Sequence, residues 1–140
     1  MNNKQNGTFY EQAFMLACLK RGLHPHPSVG DYLPHDIIVQ NTAGRLFRVQ
    51  IKGTHSIEYR PTGRIGKLGR FGIKAVGGGK TRSQIDCLRV DVLSVYVEKY
   101  DCFYNIPCTA LSSACVWVTP HIENGKGKYE KYARNWDVYK

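Results

Sequence analysis

Four side chains in this sequence could together hydrolyse a phosphodiester: Asp36, Gln50, Lys52 and Glu11. Asp36 opens the run DIIVQ (36–40), and Gln50 and Lys52 stand two apart within LFRVQIKGT (46–54). A hard divalent cation takes oxygen ligands. Asp36 offers a carboxylate, Gln50 an amide oxygen and Ile51 a backbone carbonyl. An ion held there polarises a phosphate and lowers the pKa of a bound water. A lysine beside it, Lys52, can orient that water or steady the charge that develops on the phosphate. Glu11 can approach the same ion from a different element, through water. Each residue also has a plainer use. Asp36 could merely start a strand, Glu11 could complete a helix cap, and Gln50 and Lys52 could line an exposed strand face.

The elements around these residues decide whether they can meet. Residues 8–21 (TFYEQAFMLACLKR) have the 3–4 spacing of an amphipathic helix, with Thr8 or Asn6 as cap, Glu11 three residues after Thr8 in a capping-box pattern, and Gly22 as the stop. HPHPSVGDYLPH is too rich in proline for a central strand and reads as an edge strand followed by a loop. DIIVQ and LFRVQIKGT read as strands joined by the turn NTAG (41–44), an antiparallel hairpin. Strand side chains alternate, so Leu46, Arg48, Gln50 and Lys52 share one face. A hairpin centred near residues 42–43 sets position 36 opposite 49–50, within reach of one ion. Farther on, 70–76 could form a strand. VDVLSVYV (90–97) and CFYNIPC (102–108) form a second hairpin across KYD. Residues 109–114 read as a turn or short helix, VWVTP as a last short strand, and 125–140 as a terminal helix carrying Tyr129, Tyr132, Trp136 and Tyr139.

The charge points to the partner. The chain has 140 residues, 20 basic and 11 acidic, for a net charge of +9. Ten of the basic residues lie between Arg45 and Arg82, against Glu58 as the one acid there. The rest of the chain is balanced. A solvated face normally mixes signs, so this concentration implies a polyanion, and no basic amphipathic helix accompanies it to favour a membrane. Within the Gly-rich stretch 55–82, Arg60, Arg64, Lys67, Arg70, Lys74, Lys80 and Arg82 are the candidate phosphate contacts. GGGKT (77–81) lacks the first glycine of a nucleotide-binding phosphate loop, whose place is taken by Lys74. His24 and His26 have no third partner for zinc. The five cysteines show no C-x-x-C pair and an odd count, so free buried thiols are expected rather than a disulfide framework. No apolar run approaches a membrane span, and MNNKQNG lacks a signal peptide's apolar core, so a soluble, cytoplasmic protein is expected.

The segments G-T-F-Y-E (7–11), P-H-D-I-I-V (34–39) and F-R-V-Q-I-K-G-T (47–54) resemble the motif series of PD-(D/E)XK nucleases. They are most similar to the branch of group I intron-associated and free-standing homing endonucleases, where glutamine often replaces the acid before x-Lys. V-D-V-L-S-V-Y-V…C-F-Y-N-I-P (90–107) resembles that family's later hairpin, and Y-A-R-N-W-D (132–137) its C-terminal helix. The resemblance implies an α/β restriction-endonuclease-like core, a central mixed sheet flanked by helices, over residues 1–140 as one nuclease domain. It implies cleavage of double-stranded DNA with Mg²⁺, for which Mn²⁺ can substitute. Matched to those motifs, the helix acid is Glu11, the metal aspartate Asp36 and the x-Lys pair Gln50 and Lys52. A neutral Gln50 brings less charge to the ion than the superfamily's usual acid.

The leading expectation is therefore a site-specific, homing-type endonuclease. Two strands need two active centres, so a homodimer or homotetramer is expected. Two other readings stay open: a Holliday junction resolvase-like nuclease of the same superfamily, and a non-catalytic DNA-binding module.

Overall fold

In the computed structural model, which describes residues 1–58, 68–76 and 84–140, one long helix, α1, spans Asn3–Lys20. It begins five residues earlier than the sequence predicts. The cap is Asn2, which accepts the N–H of Gln5 at 2.9 Å while the Gln5 side chain accepts the N–H of Asn2 at 2.9 Å. This reciprocal box outcompetes the one expected at Thr8, whose hydroxyl instead donates to the Lys4 carbonyl within the helix. Glu11 is thus not spent on a cap. The helix ends where Gly22 takes a left-handed conformation, with φ of 73°.

Among the described residues seven strands follow: β1 (His24–Pro27), β2 (Ile37–Gln40), β3 (Leu46–Thr54), β4 (Phe71–Lys74), β5 (Val92–Val97), β6 (Cys102–Pro107) and β7 (Cys115–Val118). Five of them form a mixed sheet in the order β1-β2-β3-β5-β6. β3 and β5 run parallel, and the other neighbours are antiparallel. The proline-containing β1 lies on the edge, where a missing N–H costs no ladder bond. Both predicted hairpins form, β2–β3 with Ile37 opposite Val49 and β5–β6 with Val92 opposite Pro107.

Each face of the sheet has its own cover. Tyr10, Phe14, Ala17 and Cys18 of α1 pack on Ile37, Val39, Val49 and Ile51. On the other face β4 and β7 pair as a small second sheet, and Phe71, Ile73, Val116 and Val118 pack on Leu93, Val95 and Tyr104. The central sheet is therefore flanked by one helix and one two-stranded sheet among the described residues. The expected terminal helix does not form. Residues 130–132 and 137–139 are short 3-10 turns, and between them Arg134, at φ 56°, donates its N–H to the Phe103 carbonyl at 2.8 Å. The backbone is bound to the β6 edge instead of to itself, and Tyr129 and Tyr139 are buried in the core. A second correction concerns the thiols. Cys87 and Cys108 are joined by a disulfide, while Cys18, Cys102 and Cys115 are free. Among the described residues no helix is long and apolar enough to cross a membrane.

Candidate active site

Strand β2 begins at Ile37, so β3 runs past its neighbour's start and its backbone needs another partner there. Asp36 supplies it. Its N–H donates to the Val49 carbonyl at 2.9 Å, extending the ladder by one bond, and its Oδ2 accepts the Ile51 N–H at 2.8 Å. With Ile37 opposite Val49, Asp36 falls opposite Gln50, the register that the turn chemistry predicts. Backbone pairing thus fixes the carboxylate against the strand that carries Gln50 and Lys52.

Val49 and Ile51 turn toward α1, so by alternation Gln50 and Lys52 turn to the opposite face. Gln50 is only 7% exposed, and its Oε1 is fully buried with no hydrogen-bond partner. A buried amide oxygen left unpaired costs about 1–3 kcal/mol. Burial raises the Asp36 carboxyl above its ordinary value, opposed by the Ile51 N–H and by the charges of Lys52 and His35. Burial also raises Glu11, and the charge of Asp36 adds to that rise. The helix acid and the strand acid are therefore within electrostatic reach, each half-buried, and the charge of Lys52 reaches Asp36 as well.

These features fit a divalent cation. An unpaired buried oxygen and two carboxyls held against their own ionisation all gain from a positive charge. Among the described residues no group of three or more His, Cys, Asp or Glu could hold an ion. A site here depends on the amide of Gln50 as well as on acids.

Two positioning residues escaped the sequence reading. The ring of Tyr10 lies directly on Gly53, where a Cβ would come within 2.3 Å of Tyr10 Cδ2. The Tyr10 hydroxyl meets His55 Nδ1 at 3.3 Å. Tyr10 precedes Glu11 and Gly53 follows Lys52, so this contact sets the height of the helix acid relative to β3. A glycine inside a strand pattern is the signal that marks such a close approach. Of the predicted phosphate contacts, Arg60, Arg64, Lys67, Lys80 and Arg82 lie outside the described residues. Lys74 is exposed at the end of β4. Arg70 precedes β4, with its guanidinium 3.5 Å from the centre of the Trp117 ring.

The PD-(D/E)XK endonuclease family model matches residues 1–139, nearly the whole chain. This chain belongs to the PD-(D/E)XK endonuclease family. It is thus a nuclease, and DNA is the substrate that the family implies. The fold is similar to that of a bacterial homing endonuclease, I-Ssp6803I, with a TM-score of 0.78 and 20% identity over 99% of this chain and 93% of that one. A comparison with curated proteins finds no match.

Proposed function

We propose that this PD-(D/E)XK enzyme is a metal-dependent, site-specific endonuclease of the homing type that cuts double-stranded DNA. The observation that carries the metal site is the buried, unpaired Oε1 of Gln50 on the strand facing Asp36. Asp36, Gln50 and the Ile51 carbonyl would hold Mg²⁺, or Mn²⁺ in its place, and Glu11 would join through water. The bound ion supplies Lewis-acid polarisation of the phosphate and a more acidic water. Lys52 lies within electrostatic reach of the Asp36 carboxylate, and its ammonium would orient the attacking water or offset charge on the phosphate. Asp36 is oriented by the Ile51 N–H, so its remaining oxygen needs little reorganisation to bind.

The homing assignment is supported by the Q-x-K motif and by the fold neighbour, whose own title is that of a homing endonuclease. Cutting both strands requires two centres, so the working unit is a homodimer or homotetramer.

A randomised duplex library incubated with Mg²⁺, with the cut ends sequenced, tests the function. Ends should cluster at one site, vanish with EDTA, and vanish for Lys52→Ala although that variant still binds duplex. Cleavage that prefers a four-way junction without sequence bias would replace homing with resolution. A fully active Lys52→Ala protein would remove the lysine from the mechanism.

A further inference from the structure

The outer face of the β4–β7 sheet carries a groove that the catalytic centre does not use. Gly72 lies opposite Trp117, and the indole closes over it so tightly that a Cβ at Gly72 would come within 2.5 Å of the ring. Arg70, two residues earlier and so on the same face, lays its guanidinium 3.5 Å from the ring centre. Its Nε is buried without a hydrogen-bond partner. A guanidinium held flat on an aromatic is pre-organised, and its fork suits a phosphate oxygen pair. The groove measures about 750 Å³ and continues from Arg70 and Trp117 past Ser112 to Lys126 and Lys128.

Charge is one-sided along it. Arg70, Lys126 and Lys128 are three cations, and no acid stands among the described residues that line it. Lys128 is anchored by the Ser112 hydroxyl. Glu130, on the same loop, is turned away to the Tyr104 hydroxyl and the Thr119 N–H. Glu58 pairs backbone to backbone with Arg70, and its charge joins burial in raising the Cys115 thiol at the groove wall. That leaves three cations to one peripheral acid. The Glu58–Arg70 bridge also ties the groove to the segment leaving the catalytic strand, six residues beyond Lys52.

We propose that this groove is a DNA-backbone site in which the Arg70–Trp117 stack, Lys126 and Lys128 seat phosphates of the duplex that flanks the cleavage step. It rests on the nuclease reading, and it brings the C-terminal loop, whose lysines lie outside the basic central stretch, into DNA binding. Each phosphate neutralised releases counterions, so each lysine removed lowers the salt dependence of binding by about one unit in the log–log slope.

The test is binding of a short labelled duplex of mixed sequence, titrated in EDTA at several salt concentrations. Lys126→Ala/Lys128→Ala should reduce the slope by about two and weaken binding at least tenfold near physiological salt. Arg70→Gln should weaken it further, and Glu58→Gln should strengthen it. Lys20→Ala/Lys99→Ala removes equal charge elsewhere and is the control. Equal losses in the two double variants would reduce the effect to net charge and overturn the site, as would an unchanged groove variant. If the wild type binds and cleaves while the groove variants match it, only the groove fails. If binding depends on the groove but no library duplex is cut, only the nuclease reading fails. A wild-type protein that does not bind duplex overturns both.

Discussion

The carboxylate of Asp36 accepts the N–H of Ile51 at 2.8 Å across the start of the β2–β3 hairpin, in the place a ladder bond would otherwise take. One side chain therefore serves the fold and the candidate site, and substitutions can separate the two. Asp36→Asn keeps an acceptor for Ile51 but loses the charge that would hold a cation. Its thermal stability should stay within about 1 kcal/mol of wild type, whereas Asp36→Ala, which orphans the Ile51 N–H, should lose about 1–3 kcal/mol. Both should lose divalent-ion binding in calorimetric titration and fall at least a hundredfold in cleavage rate.

Gln50 shows the opposite balance. Its unpaired Oε1 weakens the metal-free fold. In EDTA, Gln50→Leu should melt no lower than wild type, because a stranded polar oxygen is replaced by apolar surface. The rise in Tm produced by Mg²⁺ or Mn²⁺ in the wild type should disappear in the same variant. Gln50→Glu should enlarge that rise, since it adds charge at the ligand position.

Proton linkage gives a signature of its own. Glu11 and Asp36 have folded-state values above the ordinary 4.5 and 3.8, chiefly from burial. The folded state therefore favours their protonated forms. Their contribution to stability is fully present below the unfolded values and is lost as pH rises through the raised folded ones. Without metal, wild type should lose stability over that rise relative to Glu11→Gln/Asp36→Asn. A divalent ion should restore it at neutral pH and have little effect in acid. Thermal melts of both proteins across pH, with EDTA or Mg²⁺, would show a diverging pair of curves.

Helix placement can be tested at Gly53. A methyl there meets the Tyr10 ring, so Gly53→Ala should push α1 outward and destabilise by about 1–3 kcal/mol. Cleavage should fall more than stability explains, because Glu11 moves with the helix. Tyr10→Phe removes only the hydroxyl that meets His55 and should leave stability within about 1 kcal/mol. A Gly53→Ala protein with full activity in the cleavage assay would show that the height of α1 does not matter to the chemistry.

The hairpin that carries the candidate site was legible where local rules act alone. Turn residues 41–44 and alternation in 46–54 were enough to predict Asp36 opposite Gln50, because hairpin register follows from the turn. Strand bounds for β3 came out as predicted for the same reason. What failed depended on distant partners. The C-terminal segment has helical spacing, but the β6 edge offered Arg134 a better acceptor. The partner of the last strand was not legible either: β7 pairs with β4, which lies more than forty residues earlier. Cys87 and Cys108 are 21 residues apart and meet only because the chain re-enters the sheet at β5. At the helix start two capping patterns competed, and the earlier one, Asn2 with Gln5, added five helical residues.

The most direct measurement is anomalous diffraction from crystals of the protein soaked in Mn²⁺. A manganese peak should lie about 2.1 Å from an Asp36 carboxylate oxygen and from Gln50 Oε1, with the Ile51 carbonyl in the same shell. A saturated crystal with no peak between Asp36 and Gln50, or with Gln50 Oε1 pointing away from the ion, would contradict the metal site on which the catalytic account stands.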